Sequence, residues 1–271
     1  LMPIGSILGY CIIAVGIIFC AIQVNINRRL NFEMSRQFIQ QSVDEEIKWQ
    51  EVILTADPPF PEGEIGWRIN NKNMYLLGHK LNQALRANSY EERIKQNILA
   101  SHPEINLNEL SWLFIEFKRF LMLNELLRVA PVYSERIDLV WKEAIRLTDD
   151  YECFCIHFAG RTIHRGDNTF RVHDSAARAI YENVYSYLFV CRAENRFLLG
   201  EFINPIHTLP AKFKKDLSSS GNHWIREKHF NNAQCREVSC IINHLIVYFK
   251  IMLNPSIPTI DDKTWSEIYS M

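Results

Sequence analysis

Apolar residues in this chain form one uninterrupted run near the start, then a series of shorter runs at helical spacing. No Asp, Glu, Lys or Arg occurs from Leu1 to Asn27, and the first charge is Arg28. Ile4 to Val24 reads IGSILGYCIIAVGIIFCAIQV, in which only Ser6, Tyr10 and Gln23 are polar or amphipathic. At a helical rise of about 1.5 Å per residue this stretch spans roughly 30 Å, the thickness of a bilayer's hydrocarbon core. Residues 1–27 are therefore expected to be a single transmembrane helix. A cleaved signal peptide would need a basic leader and a small-x-small site. Only Leu1, Met2 and Pro3 precede the run, and Phe19-Cys20-Ala21 puts a bulky ring where a small side chain belongs, so the expectation is an uncleaved anchor. Arg28, Arg29 and Arg36 flank its C-terminal end, and the positive-inside bias then puts the body in the cytoplasm.

Beyond the anchor the pattern stays helical but turns polar. Phe38, Ile39, Val43, Ile47 and Val52 make a thin apolar stripe, and 28–56 reads as a stalk or as a helix docked on the body. DPPFPEGEI, residues 57–65, is rich in proline, which lacks the backbone N–H and restricts its predecessor; 57–66 is a linker. A helical domain is expected over 67–254, with a C-terminal tail over 255–271. Ser89 with Glu92 forms a capping box before RIKQNIL, and Pro103 stops that helix. Asn106 with Glu109 starts the next, whose apolar face holds Leu110, Leu113, Phe114, Phe117, Phe120, Leu121 and Leu127, and which Pro131 ends. Ser134 caps another. Thr148 followed by Asp149 and Asp150 reads as an N-cap with acids favourable to the helix dipole, and Gly160 closes that helix as its C′ residue. Asp174 or Ser175 caps a run to Val190. Residues 195–225, broken by Pro205, Pro210 and Ser218-Ser219-Ser220-Gly221, read as loop with short pieces of structure. The run from about Ala233 to Leu253 is apolar, but Asn243, His244 and Lys250 interrupt it, which favours a buried helix over a second span. Alternating strand-like runs are scarce, and the fold class is all-α: one N-terminal transmembrane helix followed by a mostly helical globular bundle.

Composition narrows the function classes. The chain's 271 residues carry 30 Lys+Arg against 31 Asp+Glu, with 48% hydrophobic and 12% aromatic residues. That balance describes an ordered body with a sizeable core and argues against a nucleic-acid partner, which would require surplus cations. Five cysteines follow the span (Cys153, Cys155, Cys191, Cys235 and Cys240), an odd number that fits a reducing compartment better than a disulfide framework.

Candidate chemistry is sparse. The densest set of soft ligands is Cys153, Cys155, His157, His164 and His173. Cys153 and His157 are i, i+4 on one helix face while Cys155 points elsewhere, so a zinc site from Cys153, Cys155, His157 and His164 is the weaker alternative to buried thiols and capping histidines. A nucleophilic Cys155 with His164 as base needs a proximity that spacing does not supply. Cys240 and His244 sit in an apolar run and read as core. Lys212, Lys214 and Lys215 form a basic patch that reads as a solvated loop, with anionic lipid headgroups as the less favoured alternative. No metal and no cofactor are expected.

Residues 112–167, from WLFIEFKRFLML through ERIDLVWKEAIRLTDDYECFCIHFAG to RTIHRGD, resemble the glycine-rich domain-containing protein-like family. The likeness runs through Glu116, Phe117, Lys118, Arg119 and Phe120, then Ser134, Asp138, Trp141, Thr148, Tyr151, Phe154, Cys155, Phe158, Gly160 and His164. It continues into 177–188 with Tyr181 and Tyr185, so that residues about 112–188 are covered. The family's glycine-rich segment is absent. Lys142 stands where the family has a His after the Trp, and Arg165 stands for the second member of a His pair; both remain protonated at neutral pH and are not metal ligands. The resemblance implies a helical domain and little chemistry, with Asp138, Trp141, Thr148, Tyr151, Cys155, Gly160 and His164 serving as architecture. Asp138 and Trp141, i and i+3 on one face, suggest a carboxylate accepting from a backbone or indole N–H, and Trp141 should be buried.

The expected function is accordingly a membrane-anchored interaction or scaffolding domain, more a binding module than an enzyme. Its partners would be the lipid bilayer, through the N-terminal helix, and an unidentified protein. The alternative is a metal-binding or hydrolytic domain with a site around Asp138, Lys142, Cys155 and His164.

Overall fold

The computed structural model describes residues 60, 64–132, 134–164, 175–192, 198–199, 202, 207–233 and 235–253. The chain divides at Glu51/Val52 into two units, and every described residue belongs to the second. The expected span over 1–27, the whole of the stalk over 28–56 and the tail over 255–271 lie outside the described residues, as do Arg165, His173 and Asp174.

The described body is all-helical, its elements being α1 (Lys72–Arg86), a 3-10 turn (Ala87–Ser89), α2 (Tyr90–Ser101), α3 (Leu107–Leu126), α4 (Glu135–Arg146), α5 (Thr148–Ala159), α6 (Ser175–Leu188), α7 (Ala211–Ser219), α8 (Asn222–His229) and α9 (Arg236–Leu253). Only two isolated antiparallel bridges occur among these residues, Trp67 with Phe189 and Leu127 with Phe230. No helix among them is long and apolar enough to cross a membrane; the apolar run from Ala233 becomes α9, with Val238, Ile241, Ile242, Leu245, Ile246 and Phe249 buried.

α3 is the axis of the body. Asn106 caps it as its spacing to Glu109 requires, the side-chain oxygen accepting from Glu109 N at 2.9 Å. From Trp112 to Leu123 every residue is buried, so this central stretch has no solvent face, and the helix is packed by α1, α4 and α9. It stops at Leu126, short of Pro131, because Leu127 leaves the helix to bridge Phe230. α1, for which the sequence reading names no helix, packs against α2, α3, α5 and α9. Its signals are local: Asn71 Oδ1 accepts from Asn73 N at 2.9 Å, and Met74, Leu77, Leu81 and Leu85 are buried at helical spacing. Ile65 and Gly66, expected in the linker, belong to this packed body, Ile65 as a core residue.

Three local expectations change. The Ser89–Glu92 capping box does not form: Asn88 and Ser89 are both left-handed, with φ of 52° and 57°, and kink the chain between α1 and α2, leaving Ser89 with no side-chain cap bond. Ser134 takes the N-cap position of α4 without a side-chain cap bond. Thr148 is the first residue inside α5 and not its cap; its hydroxyl donates back to Ile145 O at 3.4 Å. Within 195–225 the expected short pieces of structure include α7 and the start of α8, and Phe213, Leu217 and Ile225 find the core from either side of the serine tract. Gly160 closes α5 with φ 68°, as its position implies.

Candidate functional site

Charged residues of α3 point inward, and their partners come from distant parts of the chain. Arg119 is completely buried. Its Nε donates to Ile65 O at 2.8 Å, and its Nη1 donates to Glu116 Oε1 at 2.9 Å and to Tyr185 Oη at 2.7 Å. Tyr185 Oη in turn donates to Glu116, 2.9 Å from Oε2. The rings of Phe60, Tyr185 and Phe189 lie 5.7, 5.6 and 5.2 Å from the guanidinium carbon, so the cation is wrapped by π faces as well as paired. Burial drives the Tyr185 hydroxyl well above its ordinary range and keeps it a neutral donor. The neighbouring Lys118 is also buried and meets Glu91 at 3.1 Å. Burial alone would raise the Glu91 carboxyl, but Lys118 and Lys95 on either side hold it below the usual range.

On α4, Asp138 is fully buried and pairs with Lys142 Nζ at 2.8 Å, one turn further on. Both line a cleft of about 860 Å³ beside the end of α2, together with Ser101, His102, Glu135 and Arg146. Arg146 Nη1 lies 2.7 Å from Glu143, and His102 Nδ1 lies 3.1 Å from Glu104. The lining carries three carboxylates, Glu135, Asp138 and Glu143, against two cations, Lys142 and Arg146.

Trp141 is buried as expected. Its indole N–H goes to Tyr151 Oη at 2.9 Å, and that hydroxyl donates to Ile163 O at 2.5 Å. The relay clips α4 to α5 and to the segment after Gly160, a long-range tie that the i, i+3 spacing of Asp138 and Trp141 does not contain. Cys155 is buried in the same layer, and burial pushes its thiol up, against the hydrogen bonds from Ile163 and Tyr151. A nucleophilic cysteine needs the opposite shift. His164 is exposed, and neither it nor Cys155 lines the cleft that holds Asp138 and Lys142. Cys153 and His157 are exposed on α5, where His157 Nδ1 bonds Cys153 O at 2.8 Å. No three His, Cys, Asp or Glu among the described residues come together as a metal site, so the alternative set Cys153, Cys155, His157 and His164 does not assemble. No disulfide joins the described cysteines.

The surface feature with no counterpart in the sequence reading lies along α1. A groove of about 480 Å³ runs between Ile65, Trp67, Tyr75, Leu76 and Gly78, with Lys72 and Glu64 at its rim. Tyr75 and Leu76 remain 49% and 44% exposed. Gly78 lets Ile65 and Trp67 close on the helix, since a Cβ there would meet them at 3.2 and 3.3 Å. The one signal in the sequence is that Tyr75 and Leu76 are large and apolar yet fall off the inward stripe of α1.

Among the described residues, fold and site together define an all-helical body with buried ion pairs on its central helix, a charged cleft beside α4 and an apolar groove along α1. Compared with family models, curated proteins and solved structures, the chain finds no match.

Proposed function

We propose that this chain is a membrane-tethered helical interaction module, held to the bilayer by Ile4–Val24 with its body on the cytoplasmic side, and related to the glycine-rich domain-containing protein-like family. One observation carries the binding part of the reading: the groove between Trp67, Tyr75 and Leu76 exposes large apolar side chains on a rigid helix. Aromatic and aliphatic surface of this kind, rimmed by charge, suits insertion of an apolar anchor residue from a partner protein. The residues that the resemblance marks lend support from the other direction, because Glu116, Lys118, Arg119 and Asp138 are engaged in internal ion pairs and serve the body's own architecture. The tether rests on the absence of charge over 1–27 and the orientation on Arg28, Arg29 and Arg36.

Two measurements test this reading. Alkaline carbonate extraction of cells expressing the full chain should leave it in the membrane pellet; recovery in the soluble fraction overturns the tether. A photo-crosslinker at Tyr75 should give a discrete adduct with a partner protein, abolished by Leu76→Asp with an unchanged melting temperature. An adduct indifferent to that substitution overturns the groove as the binding surface.

A further inference from the structure

The second exposed surface of distinct character is built by α7 and α8. Phe213 and Leu217 turn α7 inward, i and i+4 on one face, and Ile225 does the same for α8. Lys212, Lys214 and Lys215 are left exposed. α8 adds Trp224, 39% exposed, with Lys228 Nζ 4.3 Å above its ring. Of the two acids of this hairpin, Asp216 is paired with Lys228 at 2.9 Å, and Glu227 Oε1 lies 3.3 Å from His223 Nε2. Among the described residues, none of the three α7 lysines pairs with a carboxylate. Residues 211–229 thus hold five Lys/Arg against two acids, a net of +3 in a chain whose formal charge is −1.

We propose that the α7–α8 hairpin docks on the anionic headgroups of a bilayer. Charge complementarity sets the class of partner: a patch of unpaired lysines meets a continuous anionic plane without needing shape complementarity. Trp224 adds an indole of the kind that settles at the headgroup level. A duplex nucleic acid is the less fitting polyanion, because affinity there grows with many phosphate contacts and this patch supplies few. This is a second contact, made by the folded body itself, and it goes beyond the tether reading because it does not depend on the apolar span. Each lysine near an anionic surface contributes about fivefold in partitioning, from about 1 kcal/mol per charge, so three together bias docked over undocked states by on the order of a hundredfold.

The test uses the full chain with bilayers of phosphatidylcholine alone and of phosphatidylcholine with phosphatidylserine, followed by amide hydrogen exchange. Exchange over 211–229 should slow only with phosphatidylserine, recover as salt is raised, and show no slowing in the exposed-site variant K212E/K214E/K215E, whose melting temperature should match the parent. Equal exchange in both bilayers, or protection indifferent to salt, overturns the proposal, as does stronger protection by a DNA duplex than by the anionic bilayer. Failure of the full chain to sediment with neutral vesicles counts against the tether alone, because the comparison with added phosphatidylserine vesicles still reads the hairpin.

Discussion

Arg119 is a cation with no access to water, and its environment makes it intolerant of change. Removing one partner of a buried pair leaves the other charge uncompensated. Arg119→Met should therefore destabilise the body by roughly 3–5 kcal/mol, read as a lowered midpoint in urea unfolding. Neutralising both ends, as in Arg119→Met with Glu116→Gln, should recover part of that loss. Gly66 is bound to the same cluster: its φ is +70°, and a Cβ there would stand 2.4 Å from Phe60 Cζ and 2.7 Å from Arg119 Nη2. Gly66→Ala should thus lower stability through both backbone strain and displacement of the guanidinium, whereas Gly160→Ala, with open space around it, carries the backbone strain alone. Urea midpoints of the two variants, measured side by side, give the comparison. Trp141→Ala removes a buried ring and orphans the Tyr151 relay, with an expected loss of roughly 3–5 kcal/mol; an unchanged thermal melt would contradict its structural role.

At the scale of elements, the end of α3 carries a pH dependence. Glu125 is almost wholly buried, and although Arg161 Nη2 lies 3.0 Å from it, burial outweighs Arg161 and raises its carboxyl from 4.5 to about 7. The folded state therefore holds a proton that the unfolded chain releases. This contribution to stability is fully present below the ordinary carboxylate range and is lost as pH rises through about 7. Glu91, lowered by its lysines, acts with the opposite sign at the acid end, so the test is a difference: Glu125→Gln should flatten the fall in melting temperature between pH 5 and pH 8 seen in the parent. A parallel shift of the two profiles would show that Glu125 does not titrate there. The same elements show what the sequence makes legible. The α3 cap was readable because Asn106 and Glu109 complete it within one turn. The Ser89 box failed because cap spacing is silent about the kink at which Asn88 and Ser89 are left-handed. α7 and α8 were legible only as short pieces around Pro210 and the serine tract, and their extent rests on core contacts from α9. Arg119 stood out within an aromatic, basic segment, but Tyr185 lies 66 residues away, and no local pattern encodes that pairing.

For the molecule as a whole, fold class followed from helical periodicity, and it holds over the described body. The groove along α1 did not, because it requires Trp67 to stack on Phe189, 5.1 Å between ring centres, from the far side of the sequence. One consequence follows from how the chain enters this body. Ile65 O is held by Arg119, Gly66 O accepts from Val190 N at 2.9 Å, and Arg68 N donates to Leu188 O at 2.8 Å. Any pull arriving along the backbone from the N-terminal direction is met at this clasp before it reaches a helix. Mechanical load would therefore be divided at once between α3 and the end of α6, and in force spectroscopy Arg119→Met should yield at lower tension than the parent chain.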